Sequence, residues 1–183
     1  MRSHENEAFV VYRDVKSVIV PAGTEVTLKA GQAGYITQSL GGNFTVYVDG
    51  NLFRIAGEDA DAIGKEVVKP PELPPNATED DVLKLVWDQL RTCYDPEIPI
   101  NIVDLGLVYE CDVKANDDGT RTVEAKMTLT APGCGMGEIL VEDAKDKIER
   151  IPTVREAKVE LVFDPPWNQS MMSEVARLQT GMF

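Results

Sequence analysis

Apolar positions come in two different rhythms along this chain. Up to about residue 69 they form short runs separated by turn residues: Phe9-Val10-Val11-Tyr12, Val18-Ile19-Val20, then the alternating Val26 and Leu28, Tyr35-Ile36-Thr37, Phe44 to Val48, and Asn51 to Ile55. Pro21-Ala22-Gly23, Gly31-Gln32-Ala33-Gly34 and Gly41-Gly42-Asn43 punctuate them, and Asp49-Gly50 is a strong hairpin signal. Short strands at this spacing predict a small β-rich, barrel-like unit. Asp59 to Gly64 reads as a short helical turn.

From residue 77 the period lengthens. Thr78 with Asp81 three later reads as a capping box, and Val82, Leu83, Val86 and Leu90 recur at helical spacing. A strand starts at Leu107-Val108-Tyr109 and runs to about Lys114, and Asn116-Asp117-Asp118-Gly119 turns the chain. Val123, Ala125, Met127 and Leu129 alternate with polar residues, which predicts a half-buried strand. A glycine-rich loop, Pro132 to Gly137, opens a helix carrying Ile139, Leu140, Ala144 and Ile148, with Pro152 beyond its end. Ala157, Val159, Leu161 and Phe163 alternate again until Pro165-Pro166, and Met171, Met172, Val175 and Ala176 predict a last short helix. The order α-β-β-α-β-α implies one hairpin and one right-handed crossover, hence an α+β class with a compact mixed sheet and helices mainly on one face.

The two rhythms meet at Lys69-Pro70-Pro71-Glu72-Leu73-Pro74-Pro75-Asn76, where four prolines in six residues exclude helix and central strand. The predicted organisation is a β-rich domain over 1–69, a proline-rich linker over 70–76 and an α/β domain over 77–183. Charge divides at the same place. The chain of 183 residues carries a formal net charge of -13, and residues 71–183 hold 22 of its 31 acidic side chains. That sign opposes phosphate neutralisation, so nucleic acid and anionic membrane surfaces are not expected partners. No apolar run approaches the length needed to span a bilayer, and the N-terminus shows no secretory pattern.

Three cysteines, Cys93, Cys111 and Cys134, stand 18 and 23 positions apart, which matches no zinc or ferredoxin spacing. Free thiols fit a reducing cytoplasm. Cys134 is the most informative of them. It lies between a predicted strand end and a helix start, flanked by Gly133 and Gly135. Such a position favours a thiolate and lets another molecule approach; the competing reading is a buried, inert cysteine. Asp95-Pro96-Glu97-Ile98-Pro99 is the second cluster. Its prolines hold two carboxylates in a fixed relation, suited to metal ligation, acid–base work, tuning of a thiol, or simply a solvated turn in which Asp95 caps the local backbone. Cys93 stands two residues before Asp95, while Cys111 falls in a predicted strand and reads as core. The hydroxyl of Thr130 is placed either to hydrogen-bond a thiolate or to cap the following helix. The single histidine, His4, sits at the terminus, so histidine-dependent triads and zinc sites are not expected. The glycine loop lacks the third glycine of a dinucleotide fingerprint and any following Gly-Lys-Ser/Thr.

The stretch Asp95 to Tyr109, DPEIPINIVDLGLVY, together with Met127 to Cys134, MTLTAPGC, resembles a small family of iron–sulfur cluster assembly proteins. That family takes in SufT, PaaD and the eukaryotic cytosolic iron–sulfur targeting factors. The resemblance covers about residues 78–170. Residues 36–42 and 59–64 are similar to the extra domain that SufT-type members carry. The resemblance implies a non-enzymatic auxiliary factor in cluster assembly or transfer. Its partners would be scaffold or carrier proteins and client apo-proteins, and its cargo a labile iron–sulfur cluster. The family's reactive cysteine falls on Cys134, its acidic motif on Asp95 and Glu97, and its threonine on Thr130. A cluster takes about four ligands, and one chain offers Cys134 with Cys93 and a carboxylate as further donors. Stable ligation then calls for a homodimer, a partner or external thiols. Two other classes remain open at this level: a thiol enzyme with Cys134 as nucleophile and a carboxylate base, and a docking module in which the thiol is incidental.

Overall fold

The computed structural model describes residues 6–40, 42–95, 98, 100–130 and 137–181. The chain divides into two compact units, Met1–Lys69 and Pro70–Phe183. Together they give a mixed α+β protein.

In the first unit six strands form one antiparallel sheet: β1 (Glu7–Val10), β2 (Val15–Val20), β3 (Glu25–Leu28), β4 (Ala33–Leu40), β5 (Asn43–Val48) and β6 (Asn51–Ile55), in the order β1-β4-β5-β6-β2-β3. Every short apolar run of the sequence supplies a strand. Asp49 and Gly50, at φ 48° and 86°, make the tight turn joining β5 to β6. Among the described residues β1 and β3 do not pair with each other. Val11 instead exchanges backbone hydrogen bonds with Gly31 and Gln32 at 2.7 and 2.8 Å, tying the end of β1 to the β3–β4 turn. Ile36, Val46, Val48 and Ile55 fill the core, and a 3-10 turn at Gly57–Ile63 closes it with Ala60, Ala62 and Ile63. Arg13 clamps that turn through Asp59 and Asp61.

The second unit begins with α1 (Glu79–Leu90). Thr78 and Asp81 satisfy each other's backbone N–H groups in a capping box. Val82, Val86 and Leu90, one turn apart, form the buried stripe. The hairpin β7 (Val108–Ala115) and β8 (Arg121–Met127) follows, then α2 (Gly137–Glu149) and β9 (Val154–Leu161). The sheet order is β7-β8-β9, with β9 parallel to β8. Val123 and Met127 turn inward to a core shared with α1 and α2, and Ala125 between them is buried. Glu110, Asp112, Glu124, Lys126, Lys158 and Glu160 line a polar depression on the sheet, with Lys126 paired to Glu110 at 3.5 Å. Beyond β9 the chain makes a 3-10 turn at Gln169–Met171 and then α3 (Glu174–Thr180). The single C-terminal helix expected from Met171 to Ala176 is therefore two pieces, because Ser173 caps a fresh start by accepting from Ala176 N–H. No helix among the described residues is long and apolar enough to cross a membrane.

Candidate functional site

The acidic motif hangs from the end of α1. Thr92 Oγ1 donates to the Gln89 carbonyl at 2.6 Å, and Cys93 Sγ lies 3.8 Å from the same oxygen. The helix thus ends in a tight turn. Backbone bonds from Ile102 N–H to the Cys93 carbonyl and from Asp95 N–H to the Ile100 carbonyl, at 2.8 and 3.2 Å, pair Cys93 and Asp95 with Ile102 and Ile100. Within this fold Asp95 is only 5% exposed. Its Oδ1 accepts from Ile98 N–H at 3.0 Å, so the carboxylate is built into the loop that follows it. Glu97 lies outside the described residues.

A second polar pair continues the loop. Asn101 Oδ1 accepts from Asp104 N–H at 2.9 Å while its Nδ2 donates to Asp104 Oδ2 at 2.7 Å. Gly106 then takes φ 76°, where a Cβ would lie 2.2 Å from the Met171 carbonyl oxygen. Only glycine fits there. Trp167 Nε1 donates to the Leu105 carbonyl at 2.6 Å, and Ser173 N–H donates to the Asp104 carbonyl at 2.7 Å. The C-terminal segment is strapped across the acidic-motif loop by these bonds. Trp167 is therefore structural.

Lys147 is a site-adjacent residue that motif reasoning missed. It is 2% exposed, and its Nζ donates to the Thr92 carbonyl at 2.5 Å and lies 3.4 Å from Asp143 Oδ2. A signal exists in the sequence: Leu140, Ala144 and Lys147 fall on one helical face. A charge on that stripe needs a partner inside the fold.

The strand-to-helix connection has both its feet described. Thr128 and Leu129 are buried as the chain leaves β8, and Thr130 is half-buried. The chain returns at Gly137, where a Cβ would lie 2.6 Å from Leu129 Cδ1. The two ends of the connection therefore meet at Leu129. Cys134 and the rest of the glycine loop, residues 131–136, lie outside the described residues, as does His4.

The other two thiols are accounted for. Cys93 is fully buried within the core of the second unit. Cys111, on β7, has its thiol pushed up to about 12, first by burial and then by the nearby negative charge of Asp112. It stays protonated and unreactive at neutral pH. Among the described residues no group of three or more His, Cys, Asp or Glu side chains could hold a metal ion.

Comparison with known proteins places the second unit in a family. A family model described as "Iron-sulfur cluster assembly protein" matches residues 84–161, wholly within the second unit. A Porphyromonas gingivalis protein named "Fe-S protein maturation auxiliary factor" is 48% identical over 104 residues, covering 57% of this chain and 91% of that protein. The "Fe-S protein maturation auxiliary factor SufT" of Staphylococcus aureus is 42% identical over 48% of this chain and 96% of its own length. The Bacillus subtilis "Fe-S protein maturation auxiliary factor YitW" is 34% identical over 57% of this chain and 98% of its own. The chain belongs to the iron–sulfur cluster assembly protein family, in its SufT-type branch.

Proposed function

We propose that the chain is a non-enzymatic auxiliary factor that passes a labile iron–sulfur cluster to client apo-proteins in the cytoplasm, with Cys134 as its working thiol. One contrast carries this reading. Of the three cysteines, Cys93 is fully enclosed and Cys111 is held protonated, which supports the choice of Cys134 as the thiol for exchange. It lies three residues before Gly137, the first residue of α2. A helix N-terminus favours a thiolate.

Thr130 and the Asp95–Glu97 motif complete the proposed site. Asp95 is committed to the backbone and acts by shaping the loop, leaving Glu97 as the carboxylate for direct contact with cargo or scaffold. Cys93 serves in the core rather than as a further ligand. Since a cluster takes about four ligands, ligation by Cys134 is shared with a second copy, a scaffold protein or small thiols. Shared ligation suits release as well as capture.

The deciding experiment is Cys134→Ser in the full chain, followed by maturation of client apo-enzymes and by cluster transfer read in visible absorption. Transfer should fall to background while the thermal transition is unchanged. Undiminished maturation would instead establish a docking role. Turnover of a small-molecule substrate, abolished by the same change, would establish a thiol enzyme.

A further inference from the structure

β9 is an edge strand of the second unit's sheet, and β8 is the strand it pairs with. Its backbone groups divide by parity. Val162 N–H donates to the Met127 carbonyl at 2.8 Å, and the parallel register sets Ala125 beside Val159 and Met127 beside Leu161. Glu156, Lys158 and Glu160 therefore bond to β8, while Ala157, Val159 and Leu161 turn their N–H and C=O groups outward. Glu149 Oε1 accepts from Ala157 N–H at 3.2 Å. Among the described residues nothing bonds the outward groups of Val159 and Leu161. Their side chains are only partly buried against the core, and Phe163, just past the strand, is 48% exposed. An open edge carrying apolar side chains is a template for another strand.

The charges on β9 say which strand fits. Glu156, Lys158 and Glu160 alternate in sign on the solvent face, and all are exposed. Among the described residues neither Lys158 nor Glu160 has an ion pair. Their neighbours on β8 are taken, since Lys126 lies 3.5 Å from Glu110 and Glu124 lies 2.7 Å from Lys114. Antiparallel pairing of β9 with a second copy of itself has few registers to choose from. A two-fold axis at Arg155, Glu156, Lys158 or Glu160 sets a charge opposite its own counterpart. An axis at either end of the strand pairs only half of it, and one at Ala157 needs the N–H that Glu149 holds in both copies. An axis at Val159 sets Lys158 opposite the partner's Glu160 and Glu160 opposite the partner's Lys158. In that register Val159 exchanges both backbone bonds with the partner's Val159, and Leu161 N–H meets the partner's Ala157 carbonyl. Ala157 N–H trades Glu149 for the partner's Leu161 carbonyl. We infer that the chain forms a homodimer through β9 in this register, joining two three-stranded sheets into one of six strands. The dimer stands whether or not the chain carries a cluster.

Lys158→Glu and Glu160→Lys test the inference in the full chain, purified without iron and kept under reductant to exclude a disulfide. Sedimentation velocity reads the oligomeric state. Wild type should be dimeric at roughly 10–100 μM. Either single change opposes like charges twice across the axis and should raise the dimer dissociation constant at least about tenfold. An equimolar mixture of the two variants regains both Lys–Glu contacts and should dimerise, with one chain of each kind. Combining both changes in one chain should also return the wild-type dimer. A monomeric wild type over that range would overturn the inference. So would a dimer indifferent to either single change, or a mixture of the two variants that stays monomeric.

Discussion

The side chain of Lys147, on the third turn of α2, reaches the backbone carbonyl of Thr92 at the end of α1, with 2.5 Å between Nζ and oxygen. This single bond fixes the root of the acidic-motif loop to the helix that follows the cysteine loop. Two segments 55 residues apart in sequence are thereby held in one register.

Lys147→Met should lower the stability of the second unit by about 2–4 kcal/mol. The substitution removes the bond to Thr92 and a charge 3.4 Å from the enclosed Asp143 carboxylate. Urea unfolding reports the loss. Hydrogen exchange should rise first at Ile102, whose N–H is bonded to the Cys93 carbonyl. An unchanged urea midpoint would mean that the bond contributes nothing net.

Asp95→Asn and Asp95→Ala should separate shape from charge. Asparagine keeps an oxygen to accept from Ile98 N–H and should hold the loop. Alanine leaves that donor unmet at a cost of about 1–2 kcal/mol. Loss of cluster transfer in Asp95→Asn with an unchanged Tm would show that the negative charge itself acts on the cargo.

Alkylation at pH 8 should label the native chain at one cysteine. With its thiol pushed up to about 12, Cys111 is ionised in only about one molecule in 10,000 at that pH. Cys93 is enclosed. Mass spectrometry should find Cys134 modified in the native chain and all three cysteines modified in denaturant. Rapid native labelling of Cys111 would contradict its placement.

Cys111 also sets a limit at high pH. Its folded value lies above the ordinary 9.0, so the native state keeps the thiol proton longer than the unfolded chain does. The resulting stabilisation is fully present below about pH 9 and is lost as pH rises toward 12. Cys111→Ala should flatten the fall in stability over that window. An identical slope in wild type and variant would remove Cys111 as its source.

Gly106→Ala should be among the most damaging small changes in the second unit. It forces a side chain into a left-handed backbone and against the Met171 carbonyl. A loss of roughly 2–4 kcal/mol is expected, seen as a lower Tm with the C-terminal segment detached in limited proteolysis. Cleavage after residue 165 at the wild-type rate would sink this expectation.

Local chemistry made much of the architecture readable in advance. The Asp49-Gly50 turn, the Thr78–Asp81 capping box and the alternation of Val123, Ala125 and Met127 each follow from neighbours in sequence. Long-range pairing had no such signature. Nothing near Glu7 announces that β1 lies beside β4, because that pairing joins residues far apart in sequence. The site divides in the same way. Asp95 was visible through its prolines, and its bond from the Ile98 N–H three residues on is the local backbone cap that one of its readings held; its near-complete burial is what only the fold could add. Lys147 carried no motif, since a buried ammonium is recognised only by what surrounds it.

The meeting of Leu129 and Gly137 has a consequence for how this loop can change over time. Its described feet lie within side-chain reach of each other, so the frame asks for little span between them. Its length is therefore not set by the frame. Closing a loop costs only about the logarithm of its length, so a few added or lost residues change the folding free energy by tenths of a kcal/mol. The frame can stay constant while the segment presented to partners is lengthened, shortened or replaced, which would let one scaffold diverge toward different recipients.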